Sequence, residues 1–198
     1  VYDLDRGLAE GLPALARLRD EGVVGAIGIG TNDADAAARA VREGDLDLVM
    51  IAGRYTLLEQ PALDDLLPLC EARGVGVVAA APYNSGLLAT DAPADGARYD
   101  YAEAPGDVLE RARRLAEACR ARGVSLPVAA LRFPLRHPAV RTVVVGSARA
   151  SSVRENAARL AVEPHCAALA AELPDRPAIA PELAELGHQS AQCATPAE

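Results

Sequence analysis

Four nearly continuous apolar runs, Val23 to Ile29, Leu46 to Ile51, Val75 to Ala80 and Val140 to Val145, alternate along the chain with Ala-, Leu- and Arg-rich stretches of helical spacing. Strands covered on both faces read as unbroken apolar runs, whereas a sheet with one wet face shows strict alternation. The pattern is therefore a βα repeat with a parallel sheet packed under helices. An open doubly wound sheet and a (β/α)8 barrel both satisfy it.

The helices are marked by spacing and by their ends. Leu8, Leu12, Leu15 and Leu18 recur every three or four residues and build one apolar face from Leu8 to Glu21, which stops at Gly22. A second helix is expected from Asp33 to Glu43 with Asn32 as its cap, and a third from Pro61 to Arg73 with Gly74 ending it. Beyond a long loop, helices are expected at about Gly106 to Arg122, Leu126 to Arg136 and Ser151 to Leu160. From Glu163 periodicity fades and Pro164, Pro174, Pro177 and Pro181 accumulate. Residues 1–162 are thus expected to form the βα unit, and 163–198 an extension of one or two short helices with a frayed end.

Composition narrows the classes of function. The 198 residues carry a net charge of −8 and no basic cluster interleaved with aromatics, so nucleic acid is not an expected partner. No apolar stretch approaches the roughly 18 residues of a membrane span. Cys70, Cys119, Cys166 and Cys193 are scattered without a Cys-x-x-Cys pair, so no zinc or redox motif is written locally, and reduced thiols in the cytoplasm are the expectation. His137, His165 and His188 show no metal or triad spacing. The chain begins at Val1 with no signal-peptide pattern, which suggests an absent N-terminal portion.

Polar chemistry collects just after the strands, where barrels carry their binding loops. Gly28-Ile29-Gly30-Thr31-Asn32 combines small residues with a hydroxyl and an amide, which suits either a ligand's approach or simple turn chemistry. It lacks the third glycine of a Gly-x-Gly-x-x-Gly fingerprint. Pro82-Tyr83-Asn84-Ser85-Gly86-Leu87-Leu88 offers successive N–H groups to a pyrophosphate, and its loop runs on to about Pro105. Tyr99 and Tyr101 are candidates there for a flap over a ligand, or for side chains that seal the barrel edge. Gly146-Ser147-Ala148-Arg149 leads into a helix near Ser151 and Ser152, where free N–H donors, the positive end of the helix dipole and a guanidinium favour a phosphate; helix capping alone is the plainer reading.

These stretches, in this order, resemble the second half of an aldo/keto reductase, with the likeness running from about Leu8 to Leu160. The resemblance implies the C-terminal half of a (β/α)8 barrel that binds NAD or NADP. It places Thr31 and Asn32 on the nicotinamide carboxamide, and Asn84, Ser85, Gly86 and Leu87 in the pyrophosphate loop. Gly146, Ser147, Arg149, Ser152, Glu155 and Asn156 match the adenosine end. Ala52 and Gly53 stand where many members have a glutamine, and Ala80 where they have a stacking aromatic. These departures and the Ala-Ala-Pro-Tyr-Asn-Ser-Gly-Leu-Leu-Ala stretch resemble the branch of D-threo-aldose 1-dehydrogenases and L-fucose dehydrogenases, which implies oxidation of an aldose to its lactone and a small sugar or carbonyl substrate. Ser152 replaces a basic residue common in phosphate-binding members, which favours NAD, while Arg149 favours NADP.

The family's tyrosine, lysine, aspartate and histidine lie on the first four strands, and this chain has no lysine at all. No catalytic residue is therefore expected here, and the missing half of the barrel becomes an expected partner. The alternative is a non-catalytic dinucleotide-binding or regulatory subunit. A different phosphate-binding barrel of the aldolase type ranks lower, because its Schiff-base versions need a lysine.

Overall fold

A computed structural model describes residues 3–161. The extension expected at 163–198 lies outside the described residues. Strands β1 (Gly28–Thr31), β2 (Leu48–Ala52), β3 (Gly76–Ala80) and β6 (Val140–Val144) form one four-stranded sheet in the order β1-β2-β3-β6, parallel throughout. A doubly wound sheet reverses its strand order at a switch point, whereas a barrel adds each strand beside the last. The order follows the chain without reversal, so the described residues form part of a (β/α)8 barrel.

Helices α3 (Ala34–Glu43), α4 (Leu66–Arg73), α5 (Gly106–Ala121) and α6 (Leu126–Arg132) supply most of the core outside the sheet. Alternation along the strands sends Val49, Ile51, Val77 and Ala79 into that layer, each at most 1% exposed. The opposite face is open: Leu48, Met50 and Val144 are 38%, 39% and 43% exposed. Small residues on α3 (Ala37, Ala38 and Ala40, all fully buried) let this helix lie close against the sheet.

Several boundaries differ from the sequence reading for local reasons. The first strand starts at Gly28, not Val23. Gly22 adopts a left-handed φ of 73°, and the N–H groups of Val23 and Val24 donate to the Leu18 carbonyl, so the two valines close the preceding helix. That helix runs as α1 (Leu4–Arg6), a wide π turn (Gly7–Gly11) and α2 (Leu12–Asp20). The cap of α3 is Asp33 rather than Asn32: its carboxylate accepts the N–H groups of Asp35 and Ala36, both at 3.0 Å. Pro68 has no N–H to give the residue four positions back, so it must sit in a first turn. Accordingly α4 begins at Leu66, and Pro61–Leu63 forms a separate 3-10 turn. Pro134 likewise turns the end of the helix expected to reach Arg136 into a 3-10 segment, Phe133–Arg136.

The long connection after β3 contains a hairpin the sequence did not announce, β4 (Arg98–Tyr99) paired antiparallel with β5 (Ala102–Glu103). Its two turn residues, Asp100 and Tyr101, have φ of 44° and 68°, as a two-residue turn matching strand twist requires. Tyr99 packs against the core and Tyr101 is 85% exposed at the tip, so neither ring covers the cleft described below.

At the N-terminal end of the sheet, Asp47 accepts the Ile27 N–H at 2.7 Å and pairs with Arg19 at 3.0 Å, while Arg19 also reaches Asp45. The Ile27 N–H and the Arg19 guanidinium together hold the Asp47 carboxyl below the usual aspartate range. Gly28 is required here, since a Cβ would meet the Leu48 carbonyl oxygen at 2.3 Å.

Candidate functional site

The loops that follow β3 and β6 face each other across a cleft of about 690 Å³, and α7 (Ala150–Ala161) forms its third wall. The β3 side is shaped by an unusual backbone. Ala81, Asn84 and Ser85 have φ of 54°, 45° and 61°, and Gly86 of 96°. Only glycine, and to a lesser degree asparagine, enters this region without strain. Ala81 also precedes Pro82, a position that favours extended backbone, so it is the most strained of the set.

This loop does not present the row of free N–H groups that its sequence suggests. The N–H groups of Asn84, Gly86 and Leu87 donate to the carbonyls of Ala81, Tyr83 and Asn84, and Leu87 itself is 1% exposed in the core. What faces the cleft is Asn84, Ser85 and Gly86. Asn84 is 4% exposed; its Nδ2 reaches the Gly53 carbonyl at 3.5 Å and its Oδ1 has no hydrogen-bond partner. A buried amide oxygen left without a donor costs on the order of 1–3 kcal/mol, and such an atom at a cleft wall is one a ligand donor would satisfy.

The β6 side is a short loop into α7. The Ser147 hydroxyl donates to the Arg149 carbonyl at 3.3 Å, and the same carbonyl accepts the Val153 N–H at 3.2 Å, which opens the helix. The first-turn N–H groups before Val153 have no partner within the helix, so they and the helix dipole give this wall a positive end. Gly146, Ser147, Arg149, Ser152, Glu155 and Asn156 all line the cleft. Arg149 is exposed and makes no ion pair among the described residues.

Two residues that sequence reasoning left out of the site join the walls. The Tyr83 hydroxyl donates to Asn156 Oδ1 at 3.0 Å, and Arg159 donates to the same oxygen at 3.0 Å and to the Tyr83 hydroxyl at 3.4 Å. Arg159 further approaches Glu155 at 3.8 Å. Burial pushes the Tyr83 phenol up, and the Arg159 guanidinium partly offsets it. The spacing of Arg159 three positions after Asn156, on the same helix face, was the available signal.

Thr31 and Asn32 do not line this cleft. They sit at the C-terminal end of β1, where the Thr31 hydroxyl accepts the Asp33 N–H at 3.1 Å and the Asn32 carbonyl accepts from Arg54 at 2.8 Å. Of the four scattered cysteines, Cys70 and Cys119 are buried and not disulfide-bonded; Cys166 and Cys193 lie outside the described residues. Among the described residues no group of His, Cys, Asp and Glu side chains is placed to hold a metal, and no helix is long and apolar enough to cross a membrane.

A parallel βα array in strand order, with its polar loops after the C-terminal strand ends and a helix N-terminus beside the last, defines a segment of a βα barrel with its ligand face exposed. Residues 2–165 match the profile of the aldo/keto reductase family, and the chain belongs to that family. It is 51% identical over 162 residues to a D-threo-aldose 1-dehydrogenase of Pseudomonas sp., covering 82% of this chain and 49% of that protein. It is 40% identical over 147 residues to a pyridoxal 4-dehydrogenase of Microbacterium luteolum, covering 74% and 42%. An aldo/keto reductase of Klebsiella pneumoniae solved with NADP and acetate shares the fold at a TM-score of 0.57 and 22% identity, covering 81% and 51%. The chain spans about half the length of the curated relatives it matches.

Proposed function

We propose that this chain supplies the dinucleotide-binding half of an NAD- or NADP-dependent oxidoreductase that oxidises an aldose, of L-fucose or D-threo type, to its lactone. The observation that carries this reading is the convergence of Asn84, Ser85 and Gly86 with Gly146, Ser147, Arg149, Ser152, Glu155 and Asn156 on one cleft. The relative's name supplies the substrate class, and the NADP of the Klebsiella protein supports the cofactor class. The residues fit such a group: Arg149 and the α7 N-terminus suit a phosphate, and the unpartnered Asn84 Oδ1 awaits a donor.

When bound, the dinucleotide would supply the hydride acceptor. The chain's own residues bind and orient. Arg149, Ser147 and Ser152 hold phosphate oxygens, Glu155 and Asn156 the adenosine, and Thr31 and Asn32 the carboxamide. Tyr83 and Arg159 keep Asn156 in place through the hydrogen bonds above. The proton-transfer groups come from the remaining strands of the barrel, which also cover Leu48, Met50 and Val144 on the open sheet face. A barrel closed in this way would leave no open sheet edge.

Titration of the purified protein with NADP and with NAD at low salt tests the assignment. Saturable binding is expected, weakened about thirtyfold by Arg149→Ala, since a hydrogen bond to a charged group contributes roughly 1.5–3 kcal/mol. Absence of binding by a cooperatively folded protein would sink it. The second reading is a non-catalytic dinucleotide-binding subunit; the absence of lysine from this chain fits both readings, because the family's lysine lies on the first four strands. Turnover of an aldose by the chain once it is combined with the strands that carry the proton-transfer groups separates the two.

A further inference from the structure

The side chain of Arg54, just past the end of β2, joins three loops at once. Its Nε donates to the Asn32 carbonyl after β1 at 2.8 Å, and its Nη2 donates to the Asp100 carboxylate at 2.8 Å, on the turn of the hairpin that follows β3. The Arg54 side chain is 21% exposed and that of Asp100 48%, so the pair is half-solvated and its value lies in where it holds the loops rather than in Coulomb energy. A rigid fork with donors on separate edges can hold a carbonyl and a carboxylate in different directions, which a lysine ammonium on a flexible stem cannot reproduce. The hairpin is held at Tyr99 by packing against the core and at its turn by this pair. Each of its strands has two residues, and an isolated ribbon of that length is not stable in water.

We infer that Arg54 is a positioning residue: it ties the β4–β5 hairpin to the backbone of Asn32 and so fixes the nicotinamide end of the site. This rests on the dinucleotide reading above, because Asn32 is there assigned to the carboxamide. Asn32 lies outside the cleft that gathers the adenosine-end residues, so the two ends of the site are set by different parts of the fold. Loss of Arg54 therefore loosens one end and leaves the other.

The test compares binding of a dinucleotide with and without its nicotinamide: NADP against 2′-phospho-ADP-ribose, or NAD against ADP-ribose, according to which the wild type binds. Arg54→Met is expected to weaken the dinucleotide about tenfold and the truncated ligand less than about twofold, with Arg54→Lys failing to restore the difference and Asp100→Asn giving a smaller loss in the same direction. Trypsin gives a second readout. Arg98 lies in the hairpin, and cleavage after it should be faster in Arg54→Met and in Asp100→Asn than in the wild type. Equal losses for both ligands, unchanged affinity for both, or Arg98 cleavage no faster than in the wild type would overturn the inference. If the wild type binds neither ligand, the dinucleotide reading falls, and Arg98 cleavage alone then decides whether Arg54 holds the hairpin.

Discussion

At the N-terminal end of the sheet, Asp47 collects the Ile27 N–H and the Arg19 guanidinium, and Gly28 lets β1 approach the Leu48 carbonyl without a side chain between them. At the C-terminal end of the same strands, Ala81, Asn84 and Ser85 hold left-handed backbone, and Asn84 Oδ1 is buried without a partner. One end is close-packed and satisfied; the other stores strain and leaves polar groups unpaired. Barrels divide labour in this way, with stability at the bottom and binding at the top. A strained loop persists only where the structure beneath it over-determines its course.

The contrast can be broken from either end. Gly28→Ala should have the largest effect, about 3 kcal/mol of lost stability in urea denaturation, because the clash is with backbone and cannot be relieved by a side-chain rotation. Ala81→Gly should act in the opposite direction, raising stability by about 1 kcal/mol as the left-handed strain is released; a loss there would show that φ at this residue is not strained in solution. The smallest effect concerns acid. Asp47 titrates below the usual range when folded, so its contribution is present above the unfolded value of about 3.9 and disappears as pH falls through the lower folded value. Urea midpoints measured from about pH 5 to pH 2 should fall less steeply for Asp47→Asn than for the wild type.

Much of this was legible in the sequence, and the limits have physical causes. The parallel sheet could be read because buried strands are apolar on both faces, but Val23 and Val24 are apolar for another purpose, the closing of a helix. The β6 side of the cleft was legible because its glycine, serines and arginine are neighbours in the chain. Its missed members, Tyr83 and Arg159, meet Asn156 through contacts spanning 73 and 3 residues; the first leaves no local trace, and the second is a helix-face spacing. Arg54 and Asp100 are 46 residues apart, and their pairing depends on a hairpin whose turn carries neither glycine nor asparagine. The Leu87 assignment shows the converse: a loop motif says which residues are present, not which way the chain turns them.

Cys70 on α4 and Cys119 on α5 are both completely shielded from solvent, and burial lifts the Cys70 thiol to about 11. A soluble thiol reagent can therefore reach each one only after its helix has moved away from the residues that cover it. The modification rates of the two, separated by peptide mass, form a stopwatch for two pieces of the helical layer. Matching rates would mean that the layer lifts as one cooperative unit, and unequal rates would rank its parts by local opening free energy.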